Sequence, residues 1–90
     1  MIKVIKKGGR IVDFEPEKIS ISLANCSSDL KTDLNKVDAD LLAKDVEKKI
    51  RSLRGNDGIT SSHEIISLVL ESLNTMGFKK IAESYYNNCF

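Results

Sequence analysis

The chain has 90 residues, of which 41% are hydrophobic and 30% charged, a balance typical of an ordinary soluble globular domain. Fourteen lysines and arginines against thirteen acidic residues leave a net charge of +1, which argues against both a nucleic-acid-binding arm and an acidic tail. No apolar run approaches the roughly 18 residues that cross a bilayer, so we expect a cytoplasmic protein without a membrane partner.

The cysteine content argues against a disulfide scaffold and against a structural zinc site. The chain contains only Cys26 and Cys89, and His63 is its single histidine. A structural zinc site needs four such ligands. We therefore expect no metal site and a simple buried or chain-end role for the two thiols.

The N-terminal segment predicts a β-hairpin. Residues 2–6 and 11–14 are two short runs rich in β-branched residues, and Gly8-Gly9 lies between them. Because glycine accepts positive φ at no steric cost, the pair predicts a tight turn with positive φ at both glycines.

A first helix is predicted to begin at Pro16, whose fixed φ suits the first turn. Ile19, Leu23 and Cys26 follow at i, i+4 and i+7 and predict one buried face. The helix is expected to end in residues 27–29, and the polar stretch up to Asn35 reads as a loop.

A second helix is predicted to begin between Asn35 and Asp38 and to run to Leu53, where Gly55 follows as a stop signal. Its buried stripe is predicted to contain Leu42, Val46, Ile50 and Leu53, with Ala39 and Ala43 beside it.

The C-terminal third predicts one short strand and two further helices. Ile59-Thr60 reads as the strand, and Ser61 with Glu64 fits a capping box at the start of the third helix. The fourth helix is predicted to begin at Phe78. The expected buried positions of these helices are Ile65, Leu68, Val69 and Leu73, followed by Phe78, Ile81, Ala82 and Tyr85. The fold class is therefore α+β and mainly helical, a four-helix bundle with a small three-stranded sheet, in one domain over residues 1–90.

Two places could bind an anion. Lys6 and Lys7 directly precede the Gly8-Gly9 turn, whose exposed amides make either a phosphate cradle or an ordinary hairpin end. The hydroxyls and imidazole of residues 60–63 lie at a helix N-terminus, where they either attract an anion or serve only as caps. No GxSxG, HExxH, GxxxxGK[ST] or GxGxxG motif is present, so no catalytic constellation is predicted.

Residues 4–19, VIKKGGRIVDFEPEKI, resemble the opening of the ATP-cone domain, which has a Val-x-Lys-Arg-Asp-Gly-like strand and turn followed by Phe-Asp-x-x-Lys-Ile. The segments around residues 59–65, 68–73 and 76–85 agree with the same family in the same order. The resemblance implies a four-helix bundle capped by a three-stranded mixed sheet. It also implies an allosteric adenine-nucleotide sensor that binds ATP or dATP, with or without Mg²⁺, and changes oligomeric assembly.

ATP cones occur in ribonucleotide reductases and in the repressor of their genes. No cysteine-rich zinc ribbon precedes Met1 and no catalytic barrel follows Phe90, so we expect a reductase-type or freestanding regulatory module rather than an enzyme. Its expected partners are the nucleotide and either a second copy or a reductase subunit.

The resemblance also implies roles for individual residues. Lys6 and Lys7 match the basic pair that meets the phosphates, and Lys18 matches a helix-start lysine that reaches the nucleotide. Ile19 is expected beside the base, and one hydroxyl of residues 60–62 is expected on a phosphate. The complete candidate set is Val4, Lys6, Lys7, Gly9, Phe14, Glu15, Lys18, Ile19, Thr60, Ser61, Ser62 and His63.

Two departures from the family pattern open an alternative. Gly8 replaces the usual acidic residue of the turn, and Val12 stands where some members carry a base-contacting acid, while Asp13 is expected to point to the opposite face of its strand. The alternative is a degenerate cone that serves as a protein–protein interaction module without nucleotide.

Overall fold

The computed structural model describes residues 1–30 and 34–88 and confirms the predicted fold class. The described residues form three strands and four helices. In chain order they are β1 (Lys3–Ile5), β2 (Ile11–Asp13), α1 (Pro16–Leu30), α2 (Lys36–Arg54), β3 (Ile59–Ser61), α3 (Ser62–Thr75) and α4 (Lys79–Asn88).

The hairpin is confirmed, but its turn differs from the prediction. The amide of Lys6 donates to the carbonyl of Arg10 (2.8 Å), and that of Gly9 donates to the carbonyl of Lys6 (2.9 Å). This is a three-residue loop that needs one left-handed residue, at Gly9 with φ +85°. The prediction of positive φ at Gly8 was therefore wrong. A three-residue loop closes the hairpin with positive φ at Gly9, whereas the predicted two-residue turn required it at both glycines.

The sheet has the strand order β2-β1-β3, with β1 antiparallel to β2 and parallel to β3. Val4 lies in register with Val12 on one side and Thr60 on the other, and all three side chains are at least partly buried. Ile5, Ile11 and Ile59 are exposed on the opposite face. The parallel pairing places the start of α3 beside the end of β1.

The four helices pack as a closed ring, in which α1 contacts α2, α2 contacts α3, α3 contacts α4 and α4 contacts α1. Each helix contributes a stripe to one interior, and burial of each large aliphatic side chain contributes about 1.5–3 kcal/mol. Among the residues whose burial the structure describes, the large aliphatic side chains that are fully buried are Leu23, Leu42, Val46, Ile50, Val69, Leu73 and Ile81. Of the helices in the described part of the chain, none combines the length and apolar character needed to cross a membrane.

The predicted end of the first helix was wrong. Helix α1 continues through residues 27–29 to Leu30. It does so because Ser27 is buried and its hydroxyl donates to the carbonyl of Leu34 (2.9 Å), which satisfies a polar group that would otherwise favour a turn. The predicted loop falls in part on residues 31–33, outside the described residues, as does Cys89.

Leu53 does not belong to the buried stripe. The first three members of the predicted stripe are fully buried, whereas Leu53 is 63% exposed. Residues 51–57 are all exposed, so the last turn of α2 projects past the packed body of the bundle. The helical phase was right, but no neighbouring element covers that turn.

Candidate functional site

A cleft of about 140 Å³ opens where the inner face of the sheet meets helices α1, α3 and α4. It is lined by Val4, Lys6, Val12, Asp13, Phe14, Glu15, Lys18, Ile19, Ser22, Ser62, Ile65, Ile66 and Tyr85. These residues come from β1, β2 and the segment after it, and the three helices, so only the folded chain assembles the cleft.

The floor of the cleft is apolar. Val4, Phe14, Ile19 and Ile66 are all buried there, and Val12 and Ile65 add partly buried aliphatic surface from the adjacent strand and helix. A flat, apolar body such as an aromatic base would be desolvated favourably on such a surface.

Charged side chains lie around this floor. Lys6 follows β1, and Lys18 is in the first turn of α1, where its Nζ lies 3.3 Å from the carboxylate of Glu15. Both members of that ion pair are more than half exposed, so the pair is worth at most about 1 kcal/mol. An anion that enters the cleft could therefore replace Glu15 as the ion-pair partner of Lys18 at a small cost in free energy.

Three neighbouring hydroxyls at the β3–α3 junction have separate tasks. Thr60 is 3% exposed and donates to the carboxylate of Glu64 (2.7 Å), and Ser61 caps α3 by accepting from the amide of Glu64 (3.1 Å). Ser62 lines the cleft, where its hydroxyl is 3.5 Å from the carbonyl of Ile5. That separation is too long for a firm hydrogen bond, so Ser62 is the hydroxyl best placed to meet a ligand.

The side chain of Glu64 fixes this junction to α2. Its two carboxylate oxygens accept from Nε and Nη2 of Arg54 at 3.1 and 2.7 Å. Hydrogen bonds from Arg54 and Thr60 hold the pKa of Glu64 below its usual value, against a smaller opposing effect of burial. Ser61 is thus confirmed as the N-cap, while the carboxylate of the predicted capping box binds Arg54 and Thr60 instead.

A second region, which we call the groove, lies between α3 and α4 on the other side of Ile66. It measures about 330 Å³ and is lined by Lys7, His63, Ile66, Ser67, Leu70 and Tyr86. An adjoining cavity shares Leu70 and Tyr86 with it and continues along the two helices. The groove is larger than the cleft, and its lining combines buried Ile66, half-buried Leu70 and exposed Tyr86 with three polar side chains.

The structure brings together seven of the twelve candidate residues. Those lining the cleft are Val4, Lys6, Phe14, Glu15, Lys18, Ile19 and Ser62. Lys7 and His63 lie in the groove instead. Gly9, Thr60 and Ser61 line neither region, since Gly9 forms the turn, Thr60 is bonded to Glu64 and Ser61 caps the helix.

Several cleft residues were not predicted as site residues. Asp13 lines the cleft although its strand position suggested the opposite face, and its carboxylate pairs with Lys3. Ser22 lies three residues after Ile19, so helical spacing alone could have placed it on the same face. Tyr85, Ile65 and Ile66 carry no such local signal, because α3 and α4 reach the cleft only through the closure of the bundle.

Comparison with known protein families matches residues 2–87 to the family described as the ATP cone domain. A search of curated proteins found no match.

Proposed function

Since the chain belongs to the ATP cone domain family, whose members are nucleotide-binding regulatory domains, we propose that it binds ATP or dATP as an allosteric regulator. Residues 1–90 act as one domain in this proposal. The cone is a regulatory domain and is not catalytic by itself.

The observation that carries the proposal is the apolar floor of the cleft, with two lysines beside it. A cleft of about 140 Å³ is smaller than the roughly 300–1,000 Å³ of pockets that enclose a drug-sized ligand. It would therefore cover the base while the phosphates remain in its open part. Lys6, Lys18 and Ser62 are the side chains of the cleft that favour phosphate oxygens there.

The start of α3 adds a further attraction for anions. Ser62 is the first residue of a 14-residue helix, whose N-terminal end carries partial positive charge. Mg²⁺ would accompany the nucleotide on its phosphate oxygens. Within residues 1–30 and 34–88, no three His, Cys, Asp or Glu side chains cluster to hold a metal ion.

The regulated activity in this proposal is that of a ribonucleotide reductase, through assembly with a reductase subunit or a second copy. The support is the ATP-cone family membership together with the expectation drawn from the sequence motifs.

Isothermal titration of the chain with ATP, dATP and GTP in parallel tests the proposal. We expect adenine nucleotides to bind, and a hundredfold excess over Kd to stabilise the fold by about 2.7 kcal/mol, measured as a shift of the thermal midpoint. Unchanged thermal midpoints and amide NMR spectra at millimolar ATP and dATP would contradict it.

Lys18→Ala tests the site itself, with Lys44→Ala as a matched control on the exposed face of α2. Loss of a charge-assisted contact should weaken ATP binding roughly tenfold, while the fold is preserved because Lys18 is exposed. Equal ATP affinities of the Lys18→Ala and Lys44→Ala variants would remove Lys18 from the site.

The interaction module without nucleotide remains the second candidate, favoured by Val12, whose aliphatic side chain packs against the core and offers no acid to a base. Sedimentation distinguishes the two functions. Concentration-dependent association that is the same with and without ATP, together with no heat on titration, would favour the module.

A further inference from the structure

The outer face of the sheet carries an exposed isoleucine on each of its three strands. Ile5 on β1, Ile11 on β2 and Ile59 on β3 are between 40% and 57% exposed. Val4 and Val12 lie one residue away and line the cleft, so alternation along the strands turns the isoleucines to the side opposite the cleft. An apolar patch of this kind on a small domain indicates an interaction surface.

The strand register arranges the outward side chains in two rows. One row crosses from Asp13 on β2 to Lys3 on β1, and these two side chains form an ion pair. The next row crosses from Ile11 to Ile5. In the parallel pairing, Ile59 lies beside Lys3 and is a diagonal neighbour of Ile5. The outer face of the hairpin therefore presents two isoleucines and two opposite charges that cancel, although Asp13, on the edge strand, also borders the cleft.

We propose that a second copy of this chain docks on this face, with the two hairpins stacked about a two-fold axis that runs between β1 and β2, parallel to the strands. Such an axis places β1 of one copy over β2 of the other and keeps the rows aligned. Lys3 then lies over the partner's Asp13, and Ile5 lies over the partner's Ile11. The face is therefore complementary to itself in charge and in apolar character, as an isologous interface requires.

Charge and size favour a second copy over other occupants. A nucleic acid or an anionic membrane surface needs an excess of positive charge, whereas Lys3 on this face is neutralised by Asp13. The strands offer only a handful of outward side chains, against roughly 20–30 residues a side in a standard interface. We therefore expect a weak and reversible dimer, with a Kd on the order of 0.1–1 mM.

This inference goes beyond the proposed function and does not depend on nucleotide binding. The cleft lies against the inner face of the same sheet, where Val4 and Val12 line it, so the cleft and the outer face can be occupied together. Calorimetry with ATP tests the cleft, and sedimentation without nucleotide tests the outer face. The failure of either proposal is thus measured separately from the failure of the other.

Sedimentation equilibrium of the unmodified chain, from about 10 μM to about 2 mM, covers the expected range of Kd. We expect the weight-average mass to rise with concentration from that of one chain toward that of two. A mass that stays at the value of one chain throughout would overturn the proposal, and so would growth beyond two chains, because a two-fold interface closes after the second copy.

Two charge reversals test the stacked arrangement. Lys3→Glu leaves two negative charges on the face and Asp13→Lys leaves two positive charges, so each variant alone should self-associate at least about tenfold more weakly. In an equal mixture a negative face meets a positive one, and association should return. The broken ion pair is about half exposed and contributes little to stability, so both variants should keep the fold, which circular dichroism checks. A mixture of folded variants that stays monomeric would overturn the arrangement.

Ile11→Thr tests the apolar half of the face, because threonine keeps the preference for a strand and removes apolar surface. We expect dimerisation at least about fivefold weaker, since both copies lose a contact. The matched control is Ile21→Thr on α1, where the isoleucine is exposed to a similar extent but lies outside the sheet. The control should dimerise like the unmodified chain. A loss in Ile21→Thr that equals or exceeds the loss in Ile11→Thr would overturn the proposal.

Discussion

The cleft and the groove are built from neighbouring residues, yet they present different chemistry. Ile66 contributes to both, and three pairs of consecutive residues are divided between them, the first member in the cleft and the second in the groove: Lys6 and Lys7, Ser62 and His63, and Tyr85 and Tyr86. Successive side chains diverge by about 100° on a helix and alternate between the faces of a strand. Two adjacent residues can therefore point one into the cleft and the other into the groove.

The difference between the two tyrosines shows what this division achieves. Tyr85 is 5% exposed and its hydroxyl is hydrogen-bonded to Ser22, whereas Tyr86, which lines the groove, is 65% exposed. The same side chain is therefore a fixed polar group in the cleft and an accessible aromatic surface in the groove. This difference favours the cleft over the groove as the proposed nucleotide site.

The largest expected effect comes from weakening the shared wall. Ile66 is buried at 6% exposure, so Ile66→Ala should lower the free energy of unfolding by about 2–4 kcal/mol through lost burial and a new cavity. Leu70→Ala, at a half-buried position of the groove, should cost about 1 kcal/mol. Urea denaturation measures both, and equal losses would show that Leu70 is packed as tightly as the wall that the two regions share.

A smaller effect separates the two adjacent lysines. Lys6→Ala should weaken ATP binding roughly tenfold to a hundredfold, because a charge-assisted contact to phosphate is lost in the cleft. Lys7→Ala should change the affinity by less than about threefold, since Lys7 lies in the groove. Isothermal titration of both variants provides the comparison, and a reversed order would place the phosphates on the groove side.

The smallest expected effect is a pH dependence at the β3–α3 junction. Hydrogen bonds from Arg54 and Thr60 lower the pKa of Glu64 in the folded chain. Its contribution to stability is therefore present above the ordinary glutamate pKa of 4.5 and is lost as the pH falls through the lower folded value. Glu64→Gln should reduce the amount by which the free energy of unfolding falls below about pH 4.5. Urea denaturation at several pH values measures this.

Arg54→Gln is the reciprocal variant for that measurement. It removes the partner of Glu64 and should reduce the same acid dependence. Acid dependence that is unchanged in both variants would show that other carboxylates dominate it.

Local patterns in the sequence predicted most of the secondary structure. The spacing of Leu42, Val46 and Ile50 indicated the buried face of α2, and Ser61 was correctly predicted to cap α3. These predictions succeed because helical periodicity and capping depend on residues within a few positions of each other. The prediction for Leu53 failed because periodicity gives the direction of a side chain but not the presence of a neighbour to cover it.

The cleft was predictable only in part, for the same reason. The hairpin and the first turn of α1 are contiguous, so Lys6, Phe14 and Lys18 could be grouped from the motif alone. Which hydroxyl of residues 60–62 faces the cleft, and whether Lys7 joins Lys6, depended on how β3 and α3 pack against β1.

The sequence by itself determined the secondary-structure elements, most of the buried helix faces and the family, because each of these depends on short-range spacing or on the order of motifs along the chain. The tertiary structure decided which side chains meet. The parallel register of Val4 with Thr60 brings Ser62 to the cleft, and closure of the helical ring joins Ser22 to Tyr85 across 63 positions. No local pattern encodes such a contact, because it arises only when distant segments bury their apolar faces against each other.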